Sequence, residues 1–119
     1  MKIIAQNKKA FHDYVILGTI EAGLVLTGDE IKSLRAGKAN LVGGFVHVRE
    51  QELFMVNVHI SAYSHAYSKK EEEHATRNRK LLLHRKEINR LIGDVSRKGI
   101  TLIPLKLYFK NGRVKVEVG

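Results

Sequence analysis

The dipeptide Asn111-Gly112 constrains the fold more than any other feature of this chain. Asn-Gly between two strand-like segments is the preferred sequence of a two-residue hairpin turn, because both residues tolerate positive φ angles. After it, Arg113 to Val118 alternates charged side chains with valines, which predicts a strand with one buried face. Before it, Thr101 to Phe109 predicts the partner strand. We therefore expect this part of the chain to form an antiparallel hairpin.

Further short segments also have the composition of strands. Tyr14 to Ile20 is rich in β-branched and aromatic residues and predicts a strand, which Leu24 to Leu26 continues or follows as a second strand. Phe45 to Arg49 and Leu53 to Ile60 flank the polar run Glu50 to Glu52 and predict another hairpin.

Two segments have helical patterns. Thr27 and Glu30 have the Thr-x-x-Glu spacing of a capping box and predict a short helix from roughly Asp29 to Ala36. Apolar residues at helical spacing predict a second helix from about Leu83 to Arg97, and Gly99 ends it.

About six antiparallel strands with about three inserted helices predict a mainly β fold. A small closed or partly closed barrel suits this pattern, and the OB-like barrel is the member of that class most often used for RNA. An open α+β sheet is the alternative. Ser61 to Thr76 predicts a polar loop, and the absence of repeats or linkers predicts that residues 1–119 form one domain.

The charge balance indicates an anionic partner. The 119 residues include 21 Lys and Arg against 12 Asp and Glu, a formal net charge of +9. Such an excess favours nucleic acid first and an anionic membrane or acidic protein second, with a generic solubilising surface as the plain alternative. The chain has no cysteine, no recognisable signal peptide and no apolar stretch long enough to span a bilayer. These features predict a soluble, cytoplasmic protein.

The basic residues are concentrated in two places. Eight lie between Arg77 and Lys98, against two acidic residues. Arg77, Arg79 and Lys80 precede an apolar triplet, so we expect their charges to project where a loop meets the second helix and to neutralise RNA phosphates.

The second basic cluster is on the first predicted helix. Lys32 and Arg35 lie three residues apart on one helical face, and Lys38 follows the end of the helix. These cations suit an RNA backbone, although the pattern alone is also that of a solvated helix face.

Aromatic side chains could stack on unpaired bases. The candidates are Tyr14, Tyr63, Tyr67, Tyr108 and His12. A packing role is at least as good an explanation for any one of the tyrosines. Phe45, Phe54 and Phe109 are more simply assigned to the core.

Glu21 lies between two apolar segments, two residues before Gly23. Its carboxylate could accept hydrogen bonds from an RNA base edge or pair with a neighbouring cation. The residues themselves favour the ion pair.

Nothing in the sequence indicates catalysis. The six histidines include no His-x-x-x-His pair, and the only carboxylate run is Glu71 to Glu73 in the polar loop. There is no phosphate-cradling glycine loop and no nucleophile motif. We therefore expect a binding protein that is not an enzyme and needs no metal or cofactor.

Five stretches resemble the small protein B family, the bacterial partners of transfer-messenger RNA (tmRNA). They are Asn7 to Tyr14, Glu21 to Gly28, Glu30 to Leu41, Arg77 to Ile88 and Gly99 to Phe109. They follow one another in order, cover most of the chain, and several are long and idiosyncratic.

The resemblance implies an OB-like barrel with three helices. It further implies a monomeric adaptor, without membrane association, that binds the tRNA-like domain of tmRNA and delivers this RNA to stalled ribosomes. By resemblance, Asn7, Glu21 and Leu81 are RNA-binding positions, which reverses the preference for an ion pair at Glu21. The six basic residues of the two clusters extend that set on the ground of charge.

Members of the family continue with a long basic tail beyond the position of Gly119. The resemblance therefore implies a shortened chain that binds tmRNA and fails to support rescue.

Overall fold

The structure is a computed structural model and describes residues 2–61 and 75–119. The described strands are β1 (Lys2–Gln6), β2 (Ile20–Leu24), β3 (Ala39–Asn40), β4 (Phe45–Arg49), β5 (Glu52–Val56), β6 (His59–Ile60), β7 (Arg79–Leu82), β8 (Pro104–Lys110) and β9 (Arg113–Val118). Three helices accompany them: α1 (Lys8–Asp13), α2 (Gly28–Arg35) and α3 (Arg85–Lys98).

Seven strands form one antiparallel sheet in the order β1-β8-β9-β2-β7-β5-β4, and β3 pairs with β6. The predicted mainly β, antiparallel architecture with inserted helices is confirmed. The strand order begins at β1 and ends at β4, so among the described strands the pairing forms an open sheet and does not close a barrel.

The sheet has one buried face and one outer face, as the alternation along its strands requires. Leu53, Met55, Leu81, Leu107 and Val116 point into the core and are at most 1% exposed. Helix α3 covers this face through the buried residues Ile88 and Leu91. Side chains of the opposite parity therefore form the outer face.

The predicted hairpin at Asn111-Gly112 is confirmed as β8–β9. Asn111 has φ 52° and Gly112 has φ 74°, which are the left-handed angles of a type I′ turn. The hairpin of β4 and β5 turns at Glu50 and Gln51, whose φ angles are 51° and 62°. Neither of these residues is of the type that this turn favours.

The predicted strand at Tyr14 to Ile20 is wrong for all but its last residue. Residues 15–19 are irregular, and Val15 and Leu17 are 86% and 80% exposed. The strand is β2, which begins at Ile20. The predicted second strand of the β4–β5 hairpin is shorter than expected, because Asn57 with φ 61° separates β5 from β6.

Helices α2 and α3 lie within one or two residues of their predicted bounds. The pattern did not indicate β1, α1 or β7. The polar loop predicted from Ser61 to Thr76 falls mostly outside the described residues, and so do Tyr63 and Tyr67. In the described part of the chain, no helix combines the length and apolarity needed to cross a membrane.

Candidate nucleic-acid interface

Helix α2 presents its cations to solvent because its other face is anchored in the body of the protein. Thr27 caps the helix, and Glu30 completes the capping box by accepting from the Thr27 N–H at 2.9 Å. Ser33 and Leu34 are buried, and the Ser33 hydroxyl donates to the Ser61 carbonyl at 2.6 Å. The predicted contacts Lys32, Arg35 and Lys38 are all exposed.

Glu30 also ties α2 to β7 through two arginines. Its carboxylate is buried and accepts from Arg79 Nε at 2.5 Å and from Arg77 Nε at 3.2 Å, with a further short bond from Arg77. Burial raises the pKa of Glu30, but the hydrogen bonds from Arg77, Thr27 and Arg79 outweigh it, so the net shift is downward.

Arg79 differs from its expected placement. Its side chain has no exposed surface, and its guanidinium donates to the carbonyls of Val58 and Ala75 at 2.8 and 2.9 Å in addition to Glu30. The expectation that this charge projects into solvent is therefore wrong. Strand alternation explains the reversal: Arg79 and Leu81 point inward from β7, whereas Lys80 and Leu82 point outward.

The outward cation Lys80 has a partly exposed side chain and lies 3.8 Å from Glu52. Arg77 is intermediate, since about a third of its side chain is exposed and it pairs with Glu30. Leu81 is 1% exposed and belongs to the core. The basic run before α3 thus divides between one surface cation and residues that hold β7 in place.

Glu21 lies on the outer face of the sheet, where it makes the ion pair that its sequence context favoured. Its carboxylate accepts from the Tyr108 hydroxyl at 2.5 Å and from Lys110 Nζ at 3.3 Å. The hydrogen bond from Tyr108 lowers the pKa of Glu21, and Lys110 and Lys115 add to that shift against a smaller effect of burial. Burial and the nearby carboxylate of Glu21 raise the pKa of Tyr108 above its ordinary range.

The register of the strands extends this outer face sideways. Tyr108 pairs with Lys115, Lys115 with Gly23, and Gly23 with Leu82, so these four residues form one row across β8, β9, β2 and β7. A groove of about 360 Å³ runs from this row to Ile31 on α2. The groove joins the face that carries Glu21 to the helix that carries the first basic cluster.

Sequence reasoning missed the cations of the β8–β9 hairpin. Lys106 and Lys110 share the outer face with Arg113 and Lys115, because residues of equal parity on paired strands point the same way. The alternation around Asn111-Gly112 contained this information. The hairpin was interpreted only for its fold, and its charged face was not added to the candidate site.

Asn7 is buried, at 4% exposure, and supports the backbone. Its side chain caps α1 by accepting from the Ala10 N–H at 3.1 Å, its amide donates to the Leu41 carbonyl at 3.4 Å, and its N–H donates to the Leu105 carbonyl at 2.8 Å. Asn7 therefore fixes α1 against β8 and the loop before β4.

The aromatic candidates differ in exposure. Tyr14 is 55% exposed and His12 lies on the surface, whereas Tyr108 is 4% exposed and offers only its hydroxyl to Glu21. Phe45, which was assigned to the core, is 40% exposed. Across residues 2–61 and 75–119, no group of three or more His, Asp or Glu side chains is arranged to hold a metal ion.

These features define a class of protein: an antiparallel β-sheet protein whose outer face and one exposed helix carry basic side chains. Comparison with known proteins identifies the family. Residues 4–119 match the family described as SmpB protein, and the chain belongs to that family.

Relatives in two distant bacteria show the extent of the match. The SsrA-binding protein of Pelobacter propionicus is 55% identical over 118 residues, which are 99% of this chain and 76% of that protein. The SsrA-binding protein of Acetivibrio thermocellus is 52% identical over 99% of this chain and 75% of its own length.

A solved structure agrees with the sequence comparison. A chain in the structure described as "tmRNA-SmpB: a journey to the center of the bacterial ribosome" has a TM-score of 0.77 and 46% sequence identity. The match covers 97% of this chain and 80% of that chain. Both the family and the fold are therefore shared.

Proposed function

We propose that this protein is an RNA-binding adaptor that binds the tRNA-like domain of tmRNA, the RNA also called SsrA, and delivers it to stalled ribosomes. The observation that carries the proposal is identity above 50% over almost the whole chain with proteins named for SsrA binding. The structural match to a chain from a tmRNA–SmpB structure supports the same partner. The protein acts by binding and positioning, without catalysis.

We assign the RNA-contacting surface to the exposed members of the predicted site. These are Glu21, Lys32, Arg35, Lys38 and Lys80, which lie on the outer sheet face and on α2. The surface continues over Lys110 and Lys115 of the β8–β9 hairpin. Lysine and arginine contacts to phosphates supply affinity, and the shape of the surface selects a folded RNA.

The remaining predicted site residues act from beneath this surface. Arg77 and Arg79 hold α2 against β7 through Glu30, Leu81 packs beneath β2 in the core, and Asn7 holds α1. Substitution of a buried position changes RNA binding through the arrangement of its exposed neighbours.

We further propose that the sheet curls into an OB-like barrel in which β4 approaches the beginning of β8. The support is a backbone hydrogen bond from the Val46 N–H to the Leu102 carbonyl at 2.9 Å, which joins the last strand of the sheet to the segment preceding β8. We regard residues 1–119 as one binding domain that is monomeric alone and works with the ribosome in the cytoplasm.

A competition experiment tests the proposed partner. A labelled tRNA-like-domain RNA is bound to the protein and challenged with unlabelled RNA of the same kind or with single-stranded RNA of equal length. We expect the structured competitor to displace the probe at far lower concentration. Equal displacement would instead indicate a general single-strand or ribosomal-RNA binder.

The same mixtures test the absence of catalysis. After prolonged incubation the recovered RNA should run at its original length on a denaturing gel, as it does without protein. Shortened or modified RNA would assign the protein to an RNA-processing class.

A further inference from the structure

A groove of about 350 Å³ lies between α1 and the beginning of β4, apart from the surface assigned to structured RNA. Two exposed aromatic side chains line it: Tyr14, just after α1, and Phe45, the first residue of β4. We propose that this groove binds an unpaired base of an RNA strand by stacking it on Tyr14 and Phe45. The inference rests on the proposed function, because it assumes that the ligand is RNA.

Part of the groove is formed by backbone that carries no side chain. Gly43 and Gly44 both line the groove. A Cβ atom on Gly44 would lie 2.5 Å from Val58 Cγ2 and 3.0 Å from the Leu41 carbonyl oxygen, so a larger residue does not fit there. A flat ring can therefore approach the peptide plane closely.

The polar residues of the groove suit a nucleotide. Lys9 lines the groove and can neutralise the phosphate next to a bound base. Asp13 also lines it, and its partly exposed carboxylate, 3.3 Å from His12 Nδ1, can accept a hydrogen bond from the amino group of a base. Aromatic walls beside a cation are the arrangement by which proteins bind unpaired bases with little sequence preference.

The groove is formed before any ligand binds. Helix α1 is attached to β8 by the hydrogen bond from the Asn7 N–H to the Leu105 carbonyl, and its buried Ala10 packs on Ile103 and Leu105. The volume lies within the range of roughly 300–1,000 Å³ that is usual for small-molecule sites. With a net charge of +9 on the chain, an anionic strand is favoured over a neutral peptide.

The test uses an oligoribonucleotide of about ten uridines with one central 2-aminopurine, whose fluorescence falls when the base stacks. We expect the intact chain to quench the probe on binding. Tyr14→Leu and Phe45→Leu should each reduce the quenching and weaken affinity roughly tenfold, within the usual loss for one stacked base. Tyr14→Phe keeps the ring and should bind as the native protein does.

Phe11→Leu is the matched control. Phe11 lies on α1 and is 48% exposed, which is similar to Tyr14 and Phe45, but it does not line the groove. We expect its quenching and affinity to equal those of the native protein. Thermal unfolding of each variant confirms that the fold is retained.

A parallel titration with tRNA-like-domain RNA separates the two proposals. If the native protein binds that RNA while the variants at Tyr14 and Phe45 quench the probe normally, the groove assignment is overturned and the proposed function stands. If the native protein does not bind that RNA but the variants still lose quenching, the groove stands and the tmRNA assignment fails. Absence of quenching by the native protein overturns the groove assignment.

Discussion

Individual residues in this protein divide into those that present charge and those that organise it. Glu30 is the clearest organiser, because one buried carboxylate caps α2 and pairs with two arginines of the β7 segment. A buried ion pair adds little net stability, but removing one partner leaves an uncompensated charge. The fully buried guanidinium of Arg79 is the group that would be left in that state.

Glu30→Gln should therefore lower the free energy of unfolding by about 3 kcal/mol. Urea titration followed by circular dichroism measures the change. The control is Asp29→Asn, which neutralises the exposed neighbouring carboxylate on the same helical turn and should cost far less. Equal losses in the two variants would contradict the role assigned to the buried pair.

The same carboxylate predicts a pH dependence of stability. Because the pKa of Glu30 is lowered in the folded state, its contribution is complete above its unfolded pKa near 4.5 and is lost as the pH falls through the lower folded value. The difference in unfolding free energy between the native protein and Glu30→Gln should thus narrow as the solution is acidified below that range. A constant difference would show that charge at Glu30 does not contribute.

Glu21 should organise the outer face in the same manner. Glu21→Gln makes the surface more positive, so simple electrostatics predicts tighter RNA binding. We expect about tenfold weaker binding, because Tyr108 and Lys110 lose the carboxylate that orients them. Stability should change by no more than about 1 kcal/mol, since the ion pair with Lys110 is exposed.

Glu117→Gln is the matched control for this comparison, because Glu117 pairs with Glu21 in the register and lies on the same face. Filter binding with tRNA-like-domain RNA measures both variants. Tighter binding by both would indicate that Glu21 acts only through its charge.

At the scale of elements, two hairpins make the same kind of turn with different sequences. Asn111 and Gly112 suit the left-handed angles of the β8–β9 turn, whereas Glu50 and Gln51 adopt such angles against their intrinsic preference. The β4–β5 turn is held from outside: Arg85, at the beginning of α3, donates to the Gln51 carbonyl at 2.6 Å and pairs with Glu52.

Replacement of Glu50-Gln51 by Asn-Gly should therefore raise the free energy of unfolding by about 1 kcal/mol, because the strain of two left-handed residues is removed. The reciprocal exchange, Asn111→Glu with Gly112→Gln, should lower it by at least as much. Chemical denaturation of both double variants measures the effect. A loss of stability in the first would show that the native side chains stabilise the β4–β5 turn.

For the whole molecule, the arrangement of charge matters more than its total. Lys32 and Arg35 are exposed on α2 beside the groove that leads to the outer face, whereas Lys86 and Arg97 are exposed on α3. Equal changes in net charge at the two helices should therefore have unequal effects on RNA binding.

The double variant Lys32→Glu and Arg35→Glu should reduce the slope of log affinity against log salt concentration by about two, roughly one for each lost phosphate contact. Lys86→Glu with Arg97→Glu gives the same net charge and should leave the slope close to that of the native protein. Binding measured over a range of salt concentrations distinguishes the helices, and equal slopes would place the interface elsewhere.

The sequence by itself determined the features that depend on neighbouring residues. The Asn111-Gly112 turn, the capping box of α2 and the alternation of β9 were all predicted correctly, because backbone angles, caps and period-two patterns are local. The family resemblance predicted the partner for the same reason, since its motifs are contiguous stretches of sequence.

Only the tertiary structure decided which charges reach the surface. Arg79 is buried because Glu30, 49 positions earlier, and the carbonyl of Val58 meet its guanidinium inside the fold. The strand β7 exists because β2 and β5 pair with it from both sides. Burial and pairing of this kind depend on residues far apart in the chain, and a local pattern of basic residues cannot report whether such partners are present.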